Sequence, residues 1–597
     1  CIVFARDTFF RKCCKCLFWH FHYTTHGIEV SFFYAKSRTC SFIGNNTNEV
    51  REMNEDLVLA ITMLIILAVV VLFIQISQQI KVKRIQKMKI QRRFGEIPDM
   101  EEVLPIERIS VYHKHQGRED VDQVTWSDLS MDQVFQRIDQ CDSAAGEAVL
   151  YNMLHCTDNG QAQWKELLKY YEEQAEPRKK AEAILISLGK REGLYYLPEY
   201  VDTLQASHVG SVFFYRLLQI LLLGSVVGGL WNVQILPLAG VMAIVNIAVY
   251  IMTRMKYEQQ MSMMELIVLV IDTGKQLTKE KCAGPVQKEL EEKLKELGKL
   301  DKLIGKMSAM RRNSYSSDQG VFLDYLFGIT LWQLISYEKS VKWLENKRES
   351  YLQLFEEIGR LDAAISIASF RKSLPFYTEP EFHSERSVHM EEMYHPLIEE
   401  PVSNSMDWSR NCIITGSNAS GKSTWIKAVA INLILAQTIC TCTAKRFQMH
   451  PGQIMTSMAV RDDIMKGESY FLKEMKYLRR MLERFSEEKL TICIIDEILK
   501  GTNTKERIAA SKAILDYMQR QNCLVMVASH DYELTVLLEG TYENYHFTER
   551  IGEDDIYFDY RLYPGAVTSG NAIKLLKFMK FPEEIVTEAK QQVTIEL

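Results

Sequence analysis

Three kinds of hydrophobic pattern follow one another along the chain. The first is the unbroken apolar run. Leu57 to Ile76 is uncharged, and apolar apart from Thr62 and Gln75. At about 1.5 Å rise per residue, such a helix crosses a bilayer core of about 30 Å. A second apolar block, Val212 to Met252, is interrupted near Trp231, Asn232 and Pro237. It is long enough for a two-helix hairpin, and Gly224, Gly228 and Gly229 offer small surfaces for helix contact. The second kind is the amphipathic stripe, predicted as helix over Asp122 to Leu154 and Gln163 to Leu188. It returns at Val286, Leu290, Leu294, Leu297 and Leu300, then at Leu331, Leu334, Val341, Leu344 and Leu352 as a second long helix. Pro375 and Pro380 mark a break. Beyond it lies the third kind, short β-rich runs alternating with helices, as in an α/β nucleotide-binding fold.

Charge gives the first apolar run a direction. Glu52, Glu55 and Asp56 precede it, and Lys81, Lys83, Arg84, Lys87, Lys89, Arg92 and Arg93 follow it. The positive-inside rule then places everything after it in the cytoplasm; a nucleic-acid contact is the other use of such a basic run. Arg254 and Lys256 follow the second block, as a cytoplasmic return requires, whereas Arg216 near its entrance fits a buried soluble hairpin instead. The net charge of −6 argues against a polyanion binder along the whole chain but leaves room for a local basic groove. The 13 cysteines show no zinc spacing, and several sit in apolar runs, as buried reduced thiols do. Residues 1–52 mix Cys, Phe, His and Arg without helical or strand period, and the first methionine is Met53. That stretch is expected to be upstream sequence translated in error, with a real tail as the alternative.

The chemistry lies in the third region. Cys412-Ile413-Ile414-Thr415 reads as a buried strand running into Gly416, Ser417, Asn418, Ala419, Ser420, Gly421, Lys422, Ser423 and Thr424, and then into an apolar helix from Trp425. This is G-x-x-x-x-G-K-[ST] in its strand–loop–helix setting. Backbone N–H groups and the helix N-terminus point at phosphates, Lys422 neutralises them, and the Ser423 hydroxyl ligates Mg²⁺. A second buried strand ends in Asp496-Glu497. Asp496 is expected to hold Mg²⁺ and Glu497 to orient or activate the attacking water. A third ends in Ser529-His530, where His530 can sense the γ-phosphate. Chance glycine turns, surface carboxylates and a core histidine are the bland alternatives; three such elements in this order weigh against them.

Together these residues resemble the MutS family of DNA mismatch-repair ATPases. The loop TGSNASGKST is similar to the family's TGPNxxGKST, DEILKGTNTKER to its DEIGRGTS stretch, and ASHDYELT to its ATHYFELT. Gly467-Glu468-Ser469-Tyr470-Phe471 resembles its Ser-Thr-Phe segment, which implies that Ser469 reaches the ATP of a partner in trans. Tyr394-His395-Pro396-Leu397 and Pro564-Gly565-Ala566 also match, and His546 stands where the family places a nucleotide-contacting histidine. Leu361-Asp362-Ala363, with Tyr377 and Pro380, looks like the end of the family's lever, and Asp122 to Leu154 like the start of its helical core. Nothing resembles the mismatch-reading domain or its Phe-x-Glu wedge. Val402 stands near the family's adenine-stacking aromatic, and the closing helix-turn-helix is only partly matched. The resemblance therefore implies ATP binding and dimerisation, and leaves open which DNA structure is met.

The expectation is a mixed fold: an all-α core and lever region with transmembrane helices, followed by a C-terminal α/β P-loop, ABC-like ATPase domain. The divisions are the tail (1–52), a transmembrane anchor (53–80), a first helical part (81–211), a transmembrane hairpin (212–252), a second helical part (253–385) and the ATPase domain (386–597). The function expected is Mg-ATP hydrolysis by a homodimer at the cell membrane, ATPase domain in the cytoplasm, with DNA as partner in mismatch repair or DNA-structure processing. Lys190, Arg191, Arg254, Lys256, Arg311 and Arg312 are the candidate phosphate contacts. The alternative is a membrane-associated ABC-like ATPase acting on a protein partner without DNA.

Overall fold

The computed structural model describes residues 19–24, 27–32, 93–157, 161–298, 328–417, 420–458, 470–500, 502–551, 556–566, 576 and 578–595. The expected anchor at Leu57 to Ile76, Asn418, Ala419, Ser469, Leu300, Arg311 and Arg312 lie outside them. The chain falls into two units, 1–84 and 85–597. In the first, β1 (Trp19–Thr24) and β2 (Gly27–Phe32) pair antiparallel, Trp19 opposite Phe32 and Thr24 opposite Gly27. The sequence reading had found no strand period there. The segments are rich in aromatic and β-branched residues, which favour extended backbone even without strict alternation.

The second unit begins as a helical body: α1 (Ile106–Gln116), α2 (Gln123–Asp128), α3 (Met131–Ile138), α4 (Ala144–His155), α5 (Gln161–Glu173), α6 (Ala175–Leu188), α7 (Val212–Trp231), α8 (Leu236–Lys256), α9 (Glu258–Lys279), α10 (Trp332–Glu345) and α11 (Arg348–Ser373). The single helix expected over Asp122 to Leu154 is therefore three. Asp122 and Ser143 are N-caps, accepting from the Thr125 and Gly146 N–H groups, and Ser130 turns the chain with a positive φ of 52°. The stretch from Gln163 to Leu188 breaks at Gln174, which leaves Pro177 in the first turn of α6, where its missing N–H costs nothing. The second long helix likewise divides at Asn346 and Lys347 into α10 and α11.

Helices α4 and α11 form the centre of this body. At Gly359 a Cβ would come within 2.4 Å of Val149 Cγ2 and 2.6 Å of the Ala145 carbonyl, so only glycine allows the approach. Three residues on, buried Asp362 accepts from the Asp142 N–H (3.0 Å), the Ser143 N–H (2.8 Å) and the Ser143 hydroxyl (2.5 Å). A side chain of one helix thus holds the residues that lead into the other.

Helices α7 and α8 are different. Little of either is buried, 22% and 17% of their most apolar windows. Phe213, Leu230, Trp231, Ile244 and Met252 are largely exposed, while the buried faces carry polar groups. Asn246 donates to the Ile329 carbonyl (2.9 Å), and the Tyr250 hydroxyl to Gln333 (2.5 Å). Most of the surface of this hairpin is therefore exposed rather than buried.

The C-terminal part is α/β. A small sheet has the order β3-β7-β4-β5, from β3 (Glu381–Phe382), β4 (Val388–Met393), β5 (Asn404–Trp408) and β7 (Arg446–Met449). The main sheet adds β6 (Cys412–Thr415), β8 (Gln453–Ser457), β9 (Thr491–Asp496), β10 (Cys523–Ala528), β11 (Glu543–Ile551) and β12 (Ile556–Pro564), in the order β12-β11-β6-β10-β9-β8. All pairs are parallel except β11 with β12. The parallel strands β6 and β10 are buried at every position, as a sheet covered on both faces requires. Helix α12 (Lys422–Ile439) follows β6, α13 (Tyr470–Leu482) precedes β9, and α14 (Thr504–Gln519) joins β9 to β10.

The helical body and the sheet domain meet at two polar joints. Arg371, 1% exposed, donates to the Thr441 hydroxyl (2.8 Å) and the Cys440 carbonyl (2.7 Å). Asp128 of α2 accepts from the Thr456 hydroxyl (2.8 Å) and the Met458 N–H (2.9 Å), beside an Arg480–Asp122 ion pair at 2.8 Å.

Candidate functional site

Strands β6, β10 and β9 lie side by side and end at the same level. Ala528 pairs with Ile414 on one side and with Asp496 on the other. The residues just past the three ends, Gly416, Ser529-His530 and Glu497, therefore share the C-terminal edge of the sheet, where open α/β sheets bind ligands. Two further bonds stitch the edge together: Ser529 N–H to the Ile414 carbonyl (3.0 Å) and Glu497 N–H to the Ala528 carbonyl (2.9 Å).

The loop after β6 starts at Gly416, with φ 147°. A Cβ there would sit 2.8 Å from Ser420 Oγ and 3.0 Å from the Phe547 carbonyl, so the turn requires glycine. The Ser420 hydroxyl donates to the Ser417 carbonyl (2.7 Å), and the Ser417 hydroxyl to Glu549 (3.1 Å). Gly421 caps α12, whose first residue, Lys422, is 1% exposed. Its ammonium lies 3.0 Å from His530 Nε2 and 3.4 Å from the Gly416 carbonyl. Burial lowers the Lys422 pKa, against the pull of Asp496 and Glu497. Ser423 and Thr424 follow in the first turn of the helix, both less buried than Lys422.

Glu497 has a positive φ of 60°, a conformation that non-glycine residues seldom adopt and that turns the side chain back over the strand ends. One carboxylate oxygen lies 3.1 Å from His530 Nε2 and the other 2.5 Å from Lys500 Nζ. The His530 contact first, then Lys500, holds its pKa down to about 2. Lys422, His530, Glu497 and Lys500 thus form one chain of contacts. Among the described residues, the buried Oδ1 of the neighbouring Asp496 has no hydrogen-bond partner. A buried carboxylate oxygen left open in this way fits a metal ligand, and with Ser423 it is the pair that would hold Mg²⁺.

The structure brings Gly416, Ser417, Ser420, Gly421, Lys422, Asp496, Glu497 and His530 to one edge. His546, on β11 opposite Thr415, stands one strand away, its Nδ1 donating to the Gly565 carbonyl (2.9 Å). Lys500, Glu549 and the two-pronged Arg507–Asp531 pair (2.9 and 2.6 Å) beside His530 had not been singled out from the sequence. Lys500, three residues after Glu497, carried a local signal; the other partners are distant in sequence and carried none. Among the candidate DNA contacts, Lys190 is already engaged, 2.6 Å from Glu147 and 3.7 Å from Asp139.

Comparison with known proteins agrees with this geometry. The family model described as MutS domain V matches residues 412–596. The chain is 28% identical over 272 residues to DNA mismatch repair protein MutS 2 of Halobacterium salinarum, covering 43% of this chain and 31% of that protein. It is 27% identical over 250 residues to DNA mismatch repair protein MutS of Lysinibacillus sphaericus, covering 40% and 29%. With the protein of the same name from Staphylococcus aureus it shares 26% over 288 residues, covering 46% and 32%. The match thus spans about a third of the length of these relatives. Strand ends, loop and domain match agree with one another: residues 412–596 are similar to MutS domain V, and this part of the chain is similar to these MutS proteins.

Proposed function

We propose that the chain binds and hydrolyses Mg-ATP at the edge of β6, β10 and β9, as a dimer of ATPase domains, and couples the cycle to a DNA structure while anchored at the cell membrane with its ATPase domain in the cytoplasm. The convergence of Lys422, Asp496, Glu497 and His530 carries the hydrolytic part. Lys422 and the N–H groups at the start of α12 receive the phosphates. Bound Mg²⁺, held by Ser423 and Asp496, supplies charge neutralisation at the phosphate oxygens. Glu497 is ionised at neutral pH and orients the attacking water, once incoming phosphate has drawn Lys422 and His530 towards itself. His530, between Lys422 and Glu497, reports whether the γ-phosphate is present. Ser469 completes the site from the partner, and His546 contacts the nucleotide from β11.

The coupling to DNA rests on relatives that are named DNA mismatch repair proteins. Membrane attachment is supported by the length and mostly apolar outer surface of α7 and α8, with Asn246 and Tyr250 turned inward and the charges Arg216 and Lys256 near the helix ends. That same face favours a second reading, a membrane-associated ABC-like ATPase that drives a protein partner without DNA. Steady-state ATPase activity of the detergent-solubilised chain separates the two. It is measured with no DNA, perfect duplex, mismatched duplex and a four-way junction. Stimulation by any DNA supports the first reading, and the best stimulator defines the substrate. Robust activity indifferent to all four leaves the second.

A further inference from the structure

His530 sits between two groups on other elements, Lys422 at 3.0 Å and Glu497 at 3.1 Å, so its place depends on how the segment after β10 is held. Bonds within the sheet edge do part of this. The Ser529 N–H reaches the Ile414 carbonyl at 3.0 Å, and the Asp531 N–H reaches the Ser529 hydroxyl at 3.0 Å. The tie to α14 comes from Arg507, at the end of that helix's first turn. Asn503 caps the helix, its side chain accepting from the Lys505 N–H at 3.0 Å and its carbonyl from the Arg507 N–H at 2.8 Å, which fixes the root of the arginine. The guanidinium then donates through Nε and Nη2 to the two oxygens of Asp531, at 2.9 and 2.6 Å. Such a fork fixes direction as well as distance. An aspartate in the position before a helix ordinarily accepts from that helix's own N–H groups. Among the described residues Asp531 makes no such bond to the helix Tyr532–Leu537, and both its oxygens are turned to α14 instead. The two side chains are 20% and 13% exposed, so solvent screens the pair less than an ordinary surface bridge. Glu497 and Glu533 also lie within the field of Arg507.

We propose that Arg507 and Asp531 are positioning residues for His530: their two-pronged bond fixes the segment after β10 against α14 and so keeps the imidazole between Lys422 and Glu497. This rests on the proposed ATPase site, in which His530 reports the γ-phosphate and Glu497 orients the water. Neither Arg507 nor Asp531 needs to touch nucleotide; each acts through the ring of His530. A direct action of the Arg507 charge on Glu497 would differ in kind. Removing Arg507 and removing Asp531 would then change the local field in opposite senses, whereas a brace fails in the same way when either end is lost.

Two measurements on the detergent-solubilised full chain test it. The first needs no turnover: carbethoxylation of His530 by diethyl pyrocarbonate at about pH 8, where a free imidazole is neutral, followed by peptide mass spectrometry. Freed from its brace, His530 should react about threefold faster or more in Arg507→Gln and in Asp531→Asn. Should either variant fold poorly by circular dichroism, Arg507→Lys, which keeps the charge and loses the fork, takes its place with the same direction expected. The second is steady-state ATPase activity. Both variants should lose about tenfold or more in kcat with KM for ATP within about twofold of wild type, and neither substitution should lower kcat further in His530→Ala. Unchanged reactivity of His530, opposite effects of the two variants, or a further loss of kcat in His530→Ala overturns the proposal. A wild type without Lys422-dependent turnover overturns the ATPase reading alone, and the reactivity of His530 still decides the brace.

Discussion

Helix α12 and the α7–α8 pair are written in nearly the same alphabet, yet one is sealed in the molecule and the other lies bare. From Trp425 to Ile439 almost every side chain of α12 is buried, whereas Trp231 and Leu230 are 92% and 83% exposed. The polar residues tell the two apart. In α12, Asn432, Gln437 and Thr438 bond back to carbonyls of their own helix, and Asn432 also holds Thr443. They serve a helix surrounded by protein. In α7 and α8, Tyr215, Asn246 and Tyr250 sit on the face that meets protein, and the exposed surface is mostly hydrocarbon, with Arg216 and Lys256 exposed near the helix ends. Apolar content alone does not decide whether a helix is sealed in a core or left bare; the placement of its polar groups also counts.

The largest effects should come from the site that α12 begins. Glu497→Gln should lower ATP turnover by about 10²-fold or more while leaving nucleotide binding intact, since only the group that orients the water is changed. Equilibrium binding beside single-turnover hydrolysis reads both, and unchanged turnover removes Glu497 from the mechanism. Within the helical body, Asp362→Ala strips the partner from three donors at the start of α4. It should cost about 2–4 kcal/mol in denaturant unfolding; a loss under about 0.5 kcal/mol would show that the Asp362 contacts do not hold the start of α4.

Ile244→Lys sharpens the contrast between the two kinds of apolar helix. A charge on the bare face of α8 should leave folding in detergent within about 0.5 kcal/mol of wild type. It should disfavour bilayer insertion by about 3 kcal/mol, read as a shift from membrane to soluble fractions on carbonate wash of vesicles. An unshifted fractionation would detach α8 from the membrane. The smallest effect concerns pH. Glu497 is held at about 2 in the fold against its ordinary 4.5. Its contribution to stability is therefore complete above pH 4.5 and is lost as the pH falls towards 2. Between pH 5 and 9 the ATPase profile should show no limb that disappears in Glu497→Gln. A limb that does disappear means that the resting contacts with His530 and Lys500 do not set its ionisation in the working enzyme.

Much of the candidate site's geometry was legible because its pattern is local. A strand, a glycine turn and a lysine at fixed spacing describe one backbone shape, and Asp496-Glu497 and Ser529-His530 each close a buried strand. What was missed is held across long sequence distances. Ser417 meets Glu549, and Arg507 meets Asp531, through the sheet order, which spacing does not encode. The helical body was read too coarsely for a related reason. Apolar periodicity continues through a break when both pieces bury the same face, so Asp122 to Leu154 looked like one helix. Its stops are set by Ser130 in a left-handed turn and by the Asp122 and Ser143 caps. Asp362, quoted only as part of a lever resemblance, proved to be the group that holds α4 to α11.

The most direct test of the central claim is the Mg²⁺-dependent ATPase rate of the purified, detergent-solubilised chain beside that of Lys422→Ala. Turnover in the wild type that falls by about 10²-fold or more without Lys422 is the result expected of a phosphate clamp at the start of α12. Equal rates in the two proteins, or none in either with ATP and Mg²⁺ in excess, would contradict it.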